Sequence, residues 1–293
     1  MNKVKCVYII VNSDKDNAIK YAQNISEVLK QNNVSVITND KHQGKFAADA
    51  FYKTSEELFE KCDLAIAIGG DGTILNSAKN AVSHSKTVLG VNAGTLGFLA
   101  SMEPNETDRL IKAINGDYIV EKRMMLEIEV PSLDGSKKYL AINEAVVSKG
   151  AISRMIEIDV KCEGKRVNNI RADGIIVSTP TGSTAYSLSA GGPVTDPALD
   201  CILLTPICPH SLLSRTTIFS GDKQLDISVD SNNCDNARLT IDGQEVVDIS
   251  QTNQLSIRKS EQYALLTTFR DKAFYEVLNE KILAKDRIIK HEI

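Results

Sequence analysis

The sequence lacks the features that would commit it to nucleic acid, membrane or disulfide chemistry. Its 34 Lys and Arg stand against 38 Asp and Glu, a net charge of −4, and no basic block occurs along the 293 residues. Binding to a phosphate backbone calls for clustered cations, so nucleic acid is not an expected partner. The six cysteines (Cys6, Cys62, Cys162, Cys201, Cys208, Cys234) include no Cys-x-x-Cys pair and no His at zinc spacing. That excludes a disulfide framework and a fixed structural metal site, and the thiols read as small buried hydrophobes in a reducing compartment. No apolar run is long enough to cross a bilayer, and the one in MNKVKCVYIIVNSDKD is too short for a signal sequence, so a cytoplasmic protein without a membrane partner is expected. Neither Gly-x-x-x-x-Gly-Lys-Ser/Thr nor Gly-x-Gly-x-x-Gly occurs, which removes P-loop kinases and the dinucleotide-binding fingerprint. Internal repeats and low-complexity linkers are also missing.

What is present is an ordinary globular composition, 42% hydrophobic and 25% charged, with length enough for two modest domains. Over the first hundred residues, short apolar runs at 7–11, 34–37, 64–68 and 88–91 alternate with helical spacing at 14–31 and from 55 to 61. This βαβ rhythm predicts a parallel sheet, and the run at 64–68, apolar at every position, predicts a strand covered on both faces. From about residue 121 the helical spacing gives way to strand-like runs at 126–130, 139–147, 156–160, 175–177, 216–219, 225–229, 238–241 and 263–267, followed by a helix over 271–284. The expected organisation is an α/β, Rossmann-like domain over 1–120, a β-rich domain over 121–270, and a C-terminal helix in 271–293 packing back on the first domain.

Two segments carry chemistry. Gly69-Gly70-Asp71-Gly72-Thr73 follows the wholly apolar strand and precedes a helix-like run, the arrangement in which free N–H groups at a helix start hold phosphate at Gly69, Gly70, Gly72 and Thr73. An acid in that turn repels phosphate unless it has another task, such as organising a metal or taking a proton from an attacking hydroxyl; the alternative is that Asp71 caps the helix. The longer segment, Arg171 to Pro193, places Asp173 before a strand and then a dense run of hydroxyls and glycines, with Tyr186 offering a flat surface for a ring. Such a run suits a polar dinucleotide bound against backbone.

In order and spacing, Gly69 to Thr73, Asn143-Glu144, Asp173 to Pro193 and Ile241-Asp242-Gly243-Gln244 resemble the NAD kinase family over nearly the whole chain. The glycine turn alone is shared with diacylglycerol, sphingosine and phosphofructokinase-type kinases; the long middle segment separates them. The resemblance implies an NAD kinase/diacylglycerol kinase-like fold and ATP-dependent phosphorylation of the 2′-hydroxyl of the adenosine ribose of NAD. It makes Asp71 the proton acceptor with Gly72 beside it, Asn143 and Glu144 the adenosine-binding pair, and Asp173, Thr181, Thr184, Ala185, Tyr186, Ser187, Leu188 and Ser189 the substrate-binding stretch. Arg154, Arg171 and Gln244 match further dinucleotide contacts, although the two arginines equally suit a solvated face. The turn 91–99 resembles the family's second glycine turn and would bring Phe98 near the adenine. Mg²⁺ is implied as the companion of ATP, NAD is expected in the crevice between the domains, and a homodimer or homotetramer is implied by resemblance alone. His210 resembles a family segment but reads as structural, and the segment 213–217 lacks the Arg-Pro pairing of the pattern. Two other readings stand beside this one: a non-catalytic NAD-sensing module, which Asp71 opposes, and a lipid kinase of the same superfamily, which the hydroxyl-rich segment opposes.

Overall fold

The computed structural model of the chain describes residues 3–15, 17–94, 97–132, 135–150, 154–230, 237–249, 254–269 and 274–280. The chain forms two compact units, one of Met1–Lys122 with the described residues from Ala264 on, the other of Arg123–Tyr263.

The first unit alternates strand and helix: β1 (Cys6–Val11), α1 (Ala18–Gln31), β2 (Ser35–Asn39), β3 (Ala50–Tyr52), α2 (Ser55–Lys61), β4 (Leu64–Gly69), α3 (Asp71–Ala81), β5 (Thr87–Asn92) and α4 (Thr107–Ile114). Its strands lie in the order β3-β2-β1-β4-β5, all parallel. β4 is buried at all six positions because it lies inside the sheet with helices over its faces. Helix α1 buries Ala18, Ala22, Ile25 and Leu29, a stripe at three- and four-residue steps that seats it on the sheet. It begins four residues later than its spacing suggests, because Asn17 takes a left-handed conformation at φ 65° that helical backbone does not tolerate. The strand order reverses direction between β1 and β4, and in sheets of this kind ligands bind beyond the carboxyl ends at that reversal. Gly69-Gly70-Asp71 occupies the carboxyl end of β4.

The second unit is entered along β6 (Ile119–Ser132) and contains β7 (Gly135–Ala141), β8 (Glu144–Lys149), β9 (Ile156–Cys162), β10 (Lys165–Ala172), β11 (Gly174–Ser178), α5 (Tyr186–Ser189), β12 (Cys201–Ile207), β13 (Thr217–Ser220), β14 (Leu225–Val229), β15 (Ala237–Ile241), β16 (Glu245–Asp248) and the first part of β17 (Gln254–Thr268). Among the described residues, one antiparallel sheet runs β13-β12-β11-β8-β15-β16, and β10-β9-β14 with the start of β17 forms another. Alternate residues meet in one core, Val147, Ile175 and Leu204 from the first sheet against Ile158, Val160 and Ile227 from the second.

Further features differ from the sequence expectation, among them the short β3, α4 and β16, which it does not contain. The run 139–147 is two strands rather than one, broken at Ile142-Asn143, where the backbone amides donate to the Asp242 carboxylate. β10, rich in Lys, Arg and Asn, carries little strand signal and is defined by its neighbours, while β12, apolar and buried from Cys201 to Leu204 and paired through Pro206, stands where no strand is expected. From Ala264 the chain belongs to the first unit, where Leu265 and Leu266 pair in parallel with Thr87 and Val88, so strand spacing that extends the second domain to 270 passes a boundary at 263/264. Of the expected closing helix, residues 274–280 are helical, and 271–273 and 281–284 lie outside the described residues.

Ile66, at the middle of β4, is fully buried. Ile66→Ala should lower unfolding free energy by about 2–5 kcal/mol, the cost of a large-to-small change in a packed core. Urea denaturation measures it; a loss well under 1 kcal/mol would mean that this site collapses around the cavity.

Candidate active site

In the first unit, Asp71 is the first residue of α3, and the helix start is made by Gly70, which offers no side-chain cap. The helix-capping alternative for Asp71 is therefore replaced by a different bond. Its carboxylate accepts the backbone N–H of Phe98 at 2.9 Å and of Leu99 at 3.0 Å, which ties the second glycine turn to the head of α3. A Cβ on Gly97 would lie 2.1 Å from Asp71 Oδ1, so only glycine lets that turn come close enough to donate. Two of the roughly four acceptor positions of the carboxylate are used in this way.

Of the residues expected to line a phosphate, Gly72 is exposed and Gly70 half-buried, whereas Gly69 is buried in the sheet. Thr73 has both its groups engaged, the N–H on the Gly70 carbonyl at 3.0 Å and Oγ1 as acceptor from Asn12 Nδ2 at 3.3 Å. Thr73 thus braces the turn, and its hydroxyl, an acceptor in that bond, keeps its own hydrogen to donate. Phe98 is half-buried, and its ring lies 6.3 Å from that of Phe274.

In the second unit, Asn143 and Glu144 stand at the start of β8, beside the end of β11 where Ser178 pairs with Glu144. Thr179 donates its N–H to the Asn143 carbonyl at 2.9 Å and its hydroxyl to the Ile142 carbonyl at 2.5 Å. Gly182 approaches so closely that a Cβ there would lie 2.2 Å from the Asn143 oxygen. Thr181 and Thr184 bound the 3₁₀ turn that follows, Ala185 links it to α5, and α5 carries Tyr186, Ser187, Leu188 and Ser189. Ser187 is buried, with its hydroxyl 2.9 Å from that of Thr205, while Tyr186, Leu188 and Ser189 are exposed. Gln244 is exposed at the turn joining β15 to β16, at the same end of the sheet as Glu144.

Glu144 is buried, and its Oε2 has no hydrogen-bond partner. Burial first, and the neighbouring Asp242 carboxylate second, push its pKa from 4.5 up to about 8. The group is therefore neutral near pH 7.

The structure does not bring Asp173, Arg171 and Arg154 to that place. Gly174 pairs with Ser148 and Ser178 with Glu144, so Asp173 is separated from Glu144 by the length of β11, roughly 17 Å at about 3.4 Å per residue. Asp173 is in an ion pair with Lys149 Nζ at 2.6 Å, and the exposed Arg154 and Arg171 line a depression with Met155 and Glu157. The candidate residues of this unit thus form two groups at opposite ends of the same strands. Sequence reasoning gives no role to Asp242, Thr179 or Lys149, although the first two lie in segments it singles out; Lys149 carries no signal, because its partner is distant in sequence. Among the described residues, no group of three or more His, Cys, Asp and Glu side chains could hold a metal ion.

The raised pKa of Glu144 has a definite sign. Between pH 4.5 and about 8 the folded protein holds a proton that the unfolded chain has released, so this group makes stability fall as pH rises through that window, and its cost is complete above it. Glu144→Gln removes the titration. The difference in Tm between variant and wild type should grow in the variant's favour from about pH 5 to about pH 8, a tenfold change in proton affinity being worth ~1.4 kcal/mol. A difference that does not change with pH would mean that Glu144 titrates normally.

Residues 7–119 match the family model of the ATP-NAD kinase N-terminal domain and residues 142–269 that of the ATP-NAD kinase C-terminal domain. The NAD kinase of Thermoanaerobacter sp. (strain X514) is 37% identical over 281 residues, covering 95% of this chain and 99% of that protein. The NAD kinase of Ruminiclostridium cellulolyticum is 36% identical over 282 residues, 95% of this chain and 98% of its own length. Among solved structures, yeast NADH kinase complexed with NADH superposes with a TM-score of 0.87 at 25% identity, over 96% of this chain and 88% of the other. An NAD kinase from Archaeoglobus fulgidus in complex with ATP gives 0.74 at 29% identity, over 95% and 98%. With both family domains matched and full-length relatives well above 30% identity, the chain belongs to the NAD kinase family.

Proposed function

We propose that this protein transfers the terminal phosphate of ATP, or of another triphosphate or polyphosphate donor, to the 2′-hydroxyl of the adenosine ribose of NAD, giving NADP. The observation that carries the reading is Asp71: a carboxylate fixed by two backbone N–H groups at the head of α3, with exposed Gly72 beside it, in a chain of this family. NADH in the yeast relative and ATP in the archaeal one support the two substrate classes.

A ribose hydroxyl is a poor nucleophile near neutral pH. It must be held in line with the transferred phosphorus and lose its proton late, and a carboxylate whose direction is set by main-chain donors is suited to receive it. Asp71 is proposed as that acceptor, and Asn143 with Glu144 as the adenosine-binding pair. Mg²⁺ enters this reading as the companion of the triphosphate, offsetting charge on its phosphates. A cytoplasmic location and a homodimer or homotetramer complete the proposal. The sensing-module reading would leave Asp71 only its structural bonds to the Phe98 and Leu99 amides, and it predicts NAD binding without NADP formation.

The test is NADP formation from NAD, ATP and Mg²⁺ by the purified protein, with Asp71→Asn beside it. The amide would turn an NH₂ toward one of the two donors, so a stability loss of about 1–3 kcal/mol is expected. Loss of the proton acceptor should lower kcat roughly 10²–10⁴-fold while NAD still binds. Retention of more than about a tenth of wild-type kcat, well inside the smallest loss expected of a general base, would remove Asp71 from that role.

A further inference from the structure

Asp242 has no task in the reaction as described, yet its carboxylate has three backbone donors. It accepts the N–H of Asn143 at 2.8 Å and of Glu144 at 3.1 Å on Oδ1, and that of Ile142 at 3.1 Å on Oδ2, while its own N–H returns to the Glu144 carbonyl at 2.9 Å. These residues are about a hundred positions away in sequence. The turn Ile241-Asp242-Gly243-Gln244 closes with Gln244 N–H on the Ile241 carbonyl at 3.0 Å, and Asp242 sits in it at φ 50°, a left-handed conformation that Asp tolerates better than most residues. Without the carboxylate, three main-chain donors at the break between β7 and β8 would lose their acceptor.

We propose that Asp242 is a positioning residue for the dinucleotide, holding Asn143 and Glu144 in their binding geometry through this three-donor clamp. The proposal rests on the NAD-binding role given above to that pair. Thr179 fixes the same break from the other side, by its bonds to the Ile142 and Asn143 carbonyls, so Asp242 and Thr179 together leave the backbone there one conformation.

The clamp has an electrostatic consequence that a purely structural bond would not have. Among the described residues of β8, β11, β15 and the 241–244 turn, Asp242 is the charged group that acts on the Glu144 carboxyl; Arg238 of β15 lies opposite Ser148 near the far end of β8, and Lys149 and Asp173 at that end pair with each other. Burial, with the second carboxylate beside it adding to the effect, keeps Glu144 protonated up to about pH 8, so that it can donate as well as accept. Ionised, Glu144 would be a buried anion beside another anion, and an arriving ligand that removed the remaining water would raise that cost. NAD affinity should accordingly be level below about pH 8 and fall above it.

The experiment is calorimetric titration of NAD into the full-length wild type, Asp242→Ala, Asp242→Asn and Glu144→Gln from about pH 6 to about pH 9, with Tm and circular dichroism of each. Asp242→Ala should weaken NAD about 10–100-fold with little change in donor affinity, the loss expected for charge-assisted hydrogen bonds. Asp242→Asn keeps an Oδ1 acceptor for Asn143 and Glu144, so it should recover most of the affinity at low pH. Its fall-off should move to lower pH, because the negative neighbour is gone, and Glu144→Gln should show no fall-off. A folded Asp242→Ala that binds NAD as wild type does, or an Asp242→Asn whose fall-off stays at the wild-type pH, overturns the proposal. If Asp242→Ala does not fold, the pH profile of Asp242→Asn decides. A wild type that neither binds NAD nor forms NADP would instead sink the functional reading itself.

Discussion

Carboxylates that accept main-chain N–H groups fix the candidate residues in both units. Asp71 takes the amides of Phe98 and Leu99, and Asp242 those of Ile142, Asn143 and Glu144. A bond with a charged acceptor contributes more than a neutral one, about 1.5–3 kcal/mol against about 1. Its larger effect here is geometric, because several donors converging on one planar group leave it a single orientation. Glycine makes the approach possible, at Gly97 against Asp71 and at Gly182 against the Asn143 carbonyl, where a side chain would overlap its partner.

The scaffolds beneath these turns are ordinary and rigid. β4 is buried on both faces and ends in the glycine turn, so the position of Asp71 follows from a strand that has nowhere to move. In the second unit the core between the two sheets fixes β8 and β11, whose ends carry Asn143, Glu144 and the 3₁₀ turn from Thr181. Polar groups there are mostly paired with one another: Ser183 with the Pro180 carbonyl, Ser187 with Thr205, Thr179 with Ile142. A hydroxyl-rich segment can look like a set of ligand donors while most of its hydroxyls hold the loop itself together. The exception in this neighbourhood is Glu144, buried with one oxygen unpartnered.

Much of the fold is legible in the sequence, because apolar periodicity is a local property. The wholly apolar run before Gly69, the stripe Ala22, Ile25, Leu29 and the alternation Leu225, Ile227, Val229 specify a covered strand, an amphipathic helix and a half-buried strand without reference to anything else. The family was legible too, because its motifs keep their order and spacing. β10 was not, since a polar strand is made by the neighbours it pairs with.

The sequence by itself determined which residues are the candidates for chemistry: an acid inside a glycine turn, an Asn-Glu pair, and a run of hydroxyls after Asp173. Only the tertiary structure decided how they are grouped. It put Asp173 with Lys149 at the opposite end of β11 from Glu144, turned Asp71 from a helix cap into the acceptor of a distant loop, and brought Asp242 across about a hundred residues to the backbone of Asn143. The physical reason is that a hydrogen bond depends on distance in space, and distance in space between residues far apart in the chain is set by strand register and turn conformation, which no single segment of sequence contains.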